Sequence, residues 1–309
     1  MREHLRRTRH DLGYLALRGL LTGARPFSLP TLRRLGRLLA GLTPLFGRAE
    51  RQRARDHLRL AFPDWEPARH SRVFRDFVRH TGELLGEVAW LWSAPAQAIL
   101  AASRFEGLEH LTGCLGPETG TVLLTGHCGD WEWLNLALGA AGVPMTAAAR
   151  EIFDPRVDRL VQQLRGRFGA ESALRGQRAG HRMVSALNGG RVVGILIDQD
   201  IDAPGAFVEF FGRPAWTPTG AAVIAARCGR PIVPGFSARL EDGTMLLAFD
   251  APLATDRDAA SPEGAARLTA RLTARIEAQI RSRPEQWVWS HRRWRRQPGA
   301  GDRVWRAES

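Results

Sequence analysis

Residues Thr121–Trp133, reading TVLLTGHCGDWEW, dictate a strand–turn–helix unit. Thr121 to Thr125 are a short β-branched and apolar run, the pattern of a buried strand. Gly126 and Gly129 interrupt that pattern, and Trp131 to Ala141 reads as a helix. His127 is thereby placed at the carboxyl end of a strand, and Glu132 in the first turn of the following helix. In an open α/β sheet that edge is where ligands bind.

The spacing suits proton transfer. A carboxylate beside a histidine fixes its tautomer and stabilises the imidazolium formed when it acts as a general base. Glu132 follows His127 by five positions and Asp130 follows it by three. No Gly-x-Ser-x-Gly elbow occurs elsewhere, so the hydroxyl to be activated is expected to belong to a substrate. Cys128 is the rival nucleophile, but neighbours on an extended backbone point to opposite sides, away from His127. The same residues also admit a plain reading, a strand-end histidine followed by a helix-capping Asp130.

At 309 residues and 44% hydrophobic content, the chain can bury a large core as one domain, or as one domain with a helical annex. Its 44 basic residues, all arginine, exceed 32 acidic ones and give a formal charge of +12. That excess favours anionic membranes, phosphorylated lipids, acidic carrier proteins or nucleic acid as partners. Cys114, Cys128 and Cys228 lack metal-ligand spacing, which argues against zinc and against a disulfide framework.

The amino-terminal region is amphipathic. Residues 11–23 are apolar but broken by Arg18, and Ser28-Leu29-Pro30-Thr31 is a helix start. Leu32, Leu35, Leu39 and Leu42 then recur at helical spacing, with Arg33, Arg34 and Arg37 on other faces. No run approaches the roughly 20 apolar residues of a bilayer span. A signal peptide is disfavoured by Arg18 and by the lack of a small-x-small cleavage site. Leucine faces flanked by arginine predict helices lying in a membrane interface, packing on the core being the alternative.

A charged helix follows over residues 49–62, and Pro67 opens another to about Trp92, with Phe74, Phe77, Val78, Leu84, Leu85, Val88 and Leu91 as its core stripe. The expected organisation is a helical, membrane-associating region over residues 1–100, an α/β core over 101–297 and a flexible tail over 298–309. Within the core, Pro144 to Ala149 reads as a second strand ended by Arg150, and Asp154-Pro155 caps the next helix. Arg150 at a strand's carboxyl end, with Arg165 further on, offers planar forks to a phosphate or a developing oxyanion. Residues 191–197 form another strand, ending in Asp198-Gln199-Asp200. Paired carboxylates there could hold a metal, but no third ligand sits nearby, and loop capping is the plain alternative. Glu241-Asp242-Gly243 turns a hairpin, and Ser261-Pro262-Glu263 starts the last long helix.

Several of these blocks resemble a known family in order. His127-x4-Glu132 within GHCGDWEW is similar to the H-x4-D/E motif of the glycerolipid acyltransferase superfamily. More narrowly, it resembles the lauroyl/myristoyl lipid A biosynthesis acyltransferases, whose version is close to H-x-G-N-W-E. His57-Leu58-Arg59-Leu60-Ala61-Phe62-Pro63 is near their Asn-Leu-x-x-Ala-Phe-Pro, and the Asp-Gln-Asp block is also similar. Phe210-Phe211-Gly212 resembles the lipid A branch, not the Phe-Pro-Glu-Gly block of the wider superfamily. Pro284-Glu285-Gln286-Trp287-Val288-Trp289-Ser290-His291-Arg292-Arg293-Trp294 matches the carboxyl-terminal block. Asp130 stands where that family has Asn, and Arg295 where Lys is usual.

The resemblance implies an α/β fold: a central mixed β-sheet flanked by helices, behind the amphipathic amino-terminal region. It implies transfer of a fatty acyl chain from an acyl carrier protein or coenzyme A thioester to a hydroxyl of a membrane glycolipid, without metal, cofactor or nucleic acid. His127 would be the general base oriented by Glu132, with backbone N–H groups near Gly129 or an arginine at the oxyanion. Gly129, Asp130, Arg150, Arg165, Asp198, Gln199 and Asp200 would bind an anionic glycolipid acceptor. The expected location is the cytoplasmic face of a bacterial inner membrane, peripheral or monotopic. Trp287, Trp289 and Trp294, interleaved with arginine, suit an interfacial anchor or a lid over a headgroup. The alternatives are another acceptor, a phosphatidylinositol mannoside or lysophospholipid, or a non-catalytic basic protein bound to membranes.

Overall fold

A computed structural model describes residues 2–42, 47–174, 176, 178–255 and 257–307, with backbone alone for 2–10, 12 and 42. Leu42, one of the leucines of the amphipathic pattern, is therefore outside the described side chains. Five helices come first: α1 (Arg2–Gly23), α2 (Leu29–Leu42), α3 (Arg48–Ala61), α4 (Pro67–Leu91) and α5 (Ala96–Ala101). The α/β part then runs β1 (Ser103–Glu106), α6 (Leu108–Thr112), β2 (Thr121–Thr125), α7 (Trp131–Ala140), β3 (Met145–Ala149), α8 (Pro155–Arg165), β4 (Glu171–Leu174), α9 (Ala179–Asn188) and β5 (Val192–Leu196). It continues with β6 (Gly205–Phe210), β7 (Arg213–Pro218), α10 (Gly220–Cys228), β8 (Ile232–Arg239), β9 (Met245–Phe249), α11 (Pro262–Ser282) and β10 (Val304–Trp305).

The main sheet is mixed, in the order β1-β9-β8-β2-β5-β3-β4, with β8–β9 its antiparallel pair and the other pairs parallel. Parallel strands covered on both faces read as continuous apolar runs, which explains the unbroken TVLLT of β2. Val122 and Leu124 pack with Leu187, Ala225 and Ile276 on one face, while Leu123 joins Leu134, Leu138 and Met145 on the other. The helix starts follow the sequence: Asp130, Asp154 and Ser261 each accept a backbone N–H, from Trp133, Arg156 and Gly264.

α2 lies against α4 through glycine. A Cβ on Gly36 would collide with the carbonyl oxygen of Gly82, and one on Gly86 with that of Leu32. Beside this contact, Arg33 donates to Glu87 at 2.7 Å, and Arg239 of β8 donates to Glu87 at 2.6 and 2.9 Å and also reaches Glu83. The pairing ties the helical region to the sheet. α1 is linked to α8 by Arg156, which bonds Asp11 at 2.6 Å and lies 4.8 Å over the Tyr14 ring.

The carboxyl-terminal tryptophans are core, contrary to the anchor or lid expected of them. Trp287, Trp289 and Trp294 are only 1%, 0% and 9% exposed, packed with Phe210 and, for Trp289, Phe62 and Phe211. Cys128 and Trp287 form an antiparallel bridge that draws this segment beneath the loop after β2. Past it, Val304–Trp305 pairs with β6 and extends a second sheet, β10-β6-β7, inside the stretch expected to be a flexible tail.

Gly36→Ala should lower unfolding stability by about 1–3 kcal/mol through overpacking against α4. Gly41→Ala, in open space on the same helix, should be neutral or stabilising. Urea denaturation of both variants checks this.

Candidate active site

Strand register brings two of the expected residues together. Thr125 of β2 pairs with Leu196 of β5, so two residues further on each chain His127 faces Asp198. His127 Nδ1 lies 2.7 Å from Asp198 Oδ1, and the His127 backbone N–H donates to Oδ2 at 2.7 Å. Trp287 Nε1 donates to the same Oδ2 at 2.8 Å. Burial pushes the Asp198 carboxyl up, but the charge of His127 and these three donors outweigh it and hold it well below the usual carboxylate range. An ionised carboxylate only accepts, so Nδ1 carries the proton of the neutral ring and Nε2 keeps its lone pair.

Nε2 meets Gln199, whose Nε2 lies 2.9 Å away. The same amide nitrogen is 2.9 Å from Nδ1 of His291. The two imidazoles stand edge to face with centroids 4.9 Å apart, and Trp131 flanks His127 at a second 4.9 Å contact. Burial, with the charge of His127 second, lowers His291 to about 4, so its ring is neutral at physiological pH.

Glu132 has a different partner from the one expected. Arg165 Nε lies 2.9 and 3.1 Å from its two oxygens, and Nη2 adds a further short contact. The Asp130 cap fixes where α7 begins, and from its first turn Glu132 meets the last turn of α8, where Arg165 sits. The carboxylate on His127 is therefore that of Asp198. Both Glu132 and Arg165 still line the cleft, and Arg150, exposed, forms part of its wall.

Asp198 and three other expected residues lie outside the cleft lining. Gly129, at φ +58°, packs its backbone against the Ser237 carbonyl, and its N–H donates to Gln286 at 2.8 Å. That N–H is thus engaged and not open to an oxyanion. Asp130 is buried as the α7 cap, with burial and the charge of Glu87 pushing its carboxyl up to about 8. Asp200 clamps the carboxyl-terminal segment, accepting from Arg295 at 3.0 Å and from the Arg296 backbone at 2.8 Å. Cys128 is buried, and burial and Asp198 raise its thiol well above the ordinary value, which removes the rival nucleophile.

The cleft has a volume of 370 Å³ and runs from His127 over β5 and β3. Its floor is small or apolar: Ala147, Ala149, Gly194 and Ile195, with Met145 and Met183 beside them. Leu123, Gly194 and Ala147 are adjacent in register, so small side chains open a trough across neighbouring strands. A base with its lone pair at the head of an apolar trough can activate a hydroxyl beside a chain-bearing acyl group. His291 and Trp287 were not singled out by the sequence as site residues. Their signal was the alternation of Trp and His after Pro284, which reads equally as a surface anchor.

A family model described as bacterial lipid A biosynthesis acyltransferase matches residues 2–296. The chain is 27% identical over 275 residues to the lipid A biosynthesis lauroyltransferase of Escherichia coli K12, covering 87% of each chain. It is 24% identical over 273 residues to the palmitoleoyltransferase of the same organism, covering 87% of this chain and 86% of that one. To a phosphatidylinositol mannoside acyltransferase of Mycobacterium tuberculosis it is 28% identical over 131 residues, covering 41% and 42%.

Asp130 yields a pH prediction. Its folded-state pKa lies above the unfolded value near 4, so the protein loses stability as pH rises between about 4 and 8, at up to about 1.4 kcal/mol per pH unit. Asp130→Asn keeps the capping oxygen and should flatten that fall, making the variant more stable than the parent at pH 8. Thermal unfolding across pH 5–8 tests it.

Proposed function

The chain belongs to the bacterial lipid A biosynthesis acyltransferase family and is an O-acyltransferase, and we propose that it acylates a lipid A precursor-like glycolipid using His127 as the base. The observation that carries this reading is the His127–Asp198 pair at the head of an apolar trough. The donor is an acyl thioester of an acyl carrier protein or of coenzyme A, with its chain along β3 and β5.

His127 Nε2 takes the acceptor hydroxyl proton as that oxygen attacks the thioester carbonyl. The C–O bond forms and the carbonyl π electrons move to oxygen. Collapse of the tetrahedral intermediate breaks the C–S bond, and the leaving sulfur takes the proton from the His127 imidazolium. Asp198, ionised throughout, stabilises that imidazolium and keeps the ring in the productive tautomer. Glu132 holds the Arg165 fork at the cleft, where it and Arg150 contribute positive charge toward a phosphorylated acceptor.

No helix among the described residues is long and apolar enough to cross a membrane. Membrane contact is assigned instead to the amino-terminal helices. Leu15 and Leu20 on α1 and Leu35, Leu38 and Leu39 on α2 are all exposed, alongside exposed Arg18, Arg34 and Arg37. That combination suits an anionic interface. A phosphatidylinositol mannoside acceptor is the second reading. The match to that enzyme spans 41% of the chain against 87% for the lipid A enzymes, which favours the latter class.

Thiol release from acyl-carrier and acyl-CoA donors, with a panel of lipid acceptors in micelles, tests the reading. Acceptor-dependent release should fall by about 10²–10⁴-fold in His127→Ala and in Asp198→Asn. Release that survives in His127→Ala overturns it. In a second measurement, Leu38→Asp combined with Leu39→Asp should reduce sedimentation with vesicles containing anionic lipid while leaving release in micelles intact.

A further inference from the structure

Accepting His127 as the base leaves the developing oxyanion without an assigned donor. The backbone N–H that the sequence suggested, that of Gly129, is spent on Gln286, and the His127 N–H is spent on Asp198. Arg165 is committed to Glu132 on two of its nitrogens. Gln199 stands at the reacting edge of His127 itself.

The geometry points to Gln199 as the oxyanion donor of this acyl transfer, with His291 as the residue that positions its amide. The inference rests on the proposed reaction and extends it. Asp198 being ionised makes His127 Nε2 an acceptor, so the group 2.9 Å from it must be a donor, which orients the Gln199 amide with its nitrogen toward the histidine. An amide nitrogen has two hydrogens. One meets His127 Nε2; the other is directed at the ring of His291, 2.9 Å from Nδ1 and 3.1 Å from Nε2.

His291 can receive that hydrogen only through an unprotonated nitrogen. Burial lowers its pKa and keeps its ring neutral, which agrees with an acceptor role. In the resting site, then, Gln199 occupies the lone pair of the base. An acceptor hydroxyl arriving at Nε2 must displace that hydrogen bond. The freed N–H remains within a few ångströms of the base and adjoins the position where the thioester carbonyl is attacked. It can pass to the carbonyl oxygen as charge accumulates there, while His291 retains the second hydrogen. The donor is thus released by the event that needs it. No atom is consumed: the N–H stabilises the oxyanion, and returns to Nε2 once the sulfur has left with the proton.

Removing one preorganised oxyanion donor typically costs 10²–10³-fold in kcat. The test uses the full chain with acyl thioester and lipid acceptor in micelles, measuring kcat and KM for both substrates together with the melting temperature. Gln199→Ala and the isosteric Gln199→Glu should each lose about 10²-fold or more in kcat, with both KM values within threefold of the parent and melting within a few degrees. His291→Ala should lose about tenfold in kcat, and His291→Gln, whose side-chain carbonyl can accept the same N–H, should recover most of it. A raised acceptor KM with unchanged kcat in Gln199→Ala overturns the inference and returns Gln199 to acceptor binding. A kcat lost in Arg150→Ala and retained in Gln199→Ala overturns it in favour of the arginine. His127→Ala is run alongside: if it is inactive while Gln199→Ala keeps full kcat, the oxyanion inference alone fails. If His127→Ala is active, the proposed reaction fails with it.

Discussion

The Asp198 carboxylate is the point on which the candidate site depends. It sits beyond β5, buried, and accepts from the backbone and ring of His127 after β2 and from Trp287 of the carboxyl-terminal segment. A carboxylate taken out of water costs several kcal/mol unless its lone pairs are matched. Three charge-assisted hydrogen bonds meet that cost, and they do so only when two strand ends and a segment some 90 residues later converge. The requirement that stabilises the buried charge is the requirement that fixes the histidine tautomer. In the proposed reaction, structural integrity and proton transfer would share one set of bonds.

A second buried charge cluster fastens the helical region to this sheet edge. Glu87, fully buried, is shared by Arg33 of α2 and Arg239 of β8, and Glu83 joins them. Breaking one partner of such a cluster is costly because a charge is left unpaired. α2, with its exposed leucines, is thereby held at a set orientation to β8 and the loop that carries His127. Asp130 lies close enough for Glu87 and Arg239 to act on its ionisation, so the cap of α7 and the anchoring of the helices are electrostatically joined.

Much of the layout was legible in the residues. β2, β3 and β5 announced themselves as apolar runs, and Asp154-Pro155 and Ser261-Pro262 marked helix starts that the structure reproduces. The positions of His127, Arg150 and Asp198 at strand ends followed from those runs. The pairing of His127 did not. Local spacing favoured Glu132, five positions along the chain, because a nearby carboxylate is all that a single segment can display. Parallel register set Asp198 opposite instead, a relation carried by hydrogen bonding between β2 and β5 and invisible in either strand alone. The tryptophans after Pro284 were misread for a related reason: aromatic and basic residues in alternation look the same whether they face lipid or an interior that Phe210, Phe211 and Phe62 supply.

By itself, then, the sequence determined which chemistry this chain can carry, since residue types, strand-end positions and ordered blocks are local and each survives in a linear reading. It also indicated an α/β core, through short apolar runs alternating with helical patterns, while the helix-flanked mixed sheet followed from the family resemblance. The tertiary structure alone decided which carboxylate serves His127, which one turns to Arg165, and which tryptophans are buried. Those choices belong to buried polar groups, whose partners are found wherever desolvation is met by hydrogen bonding, irrespective of distance along the chain.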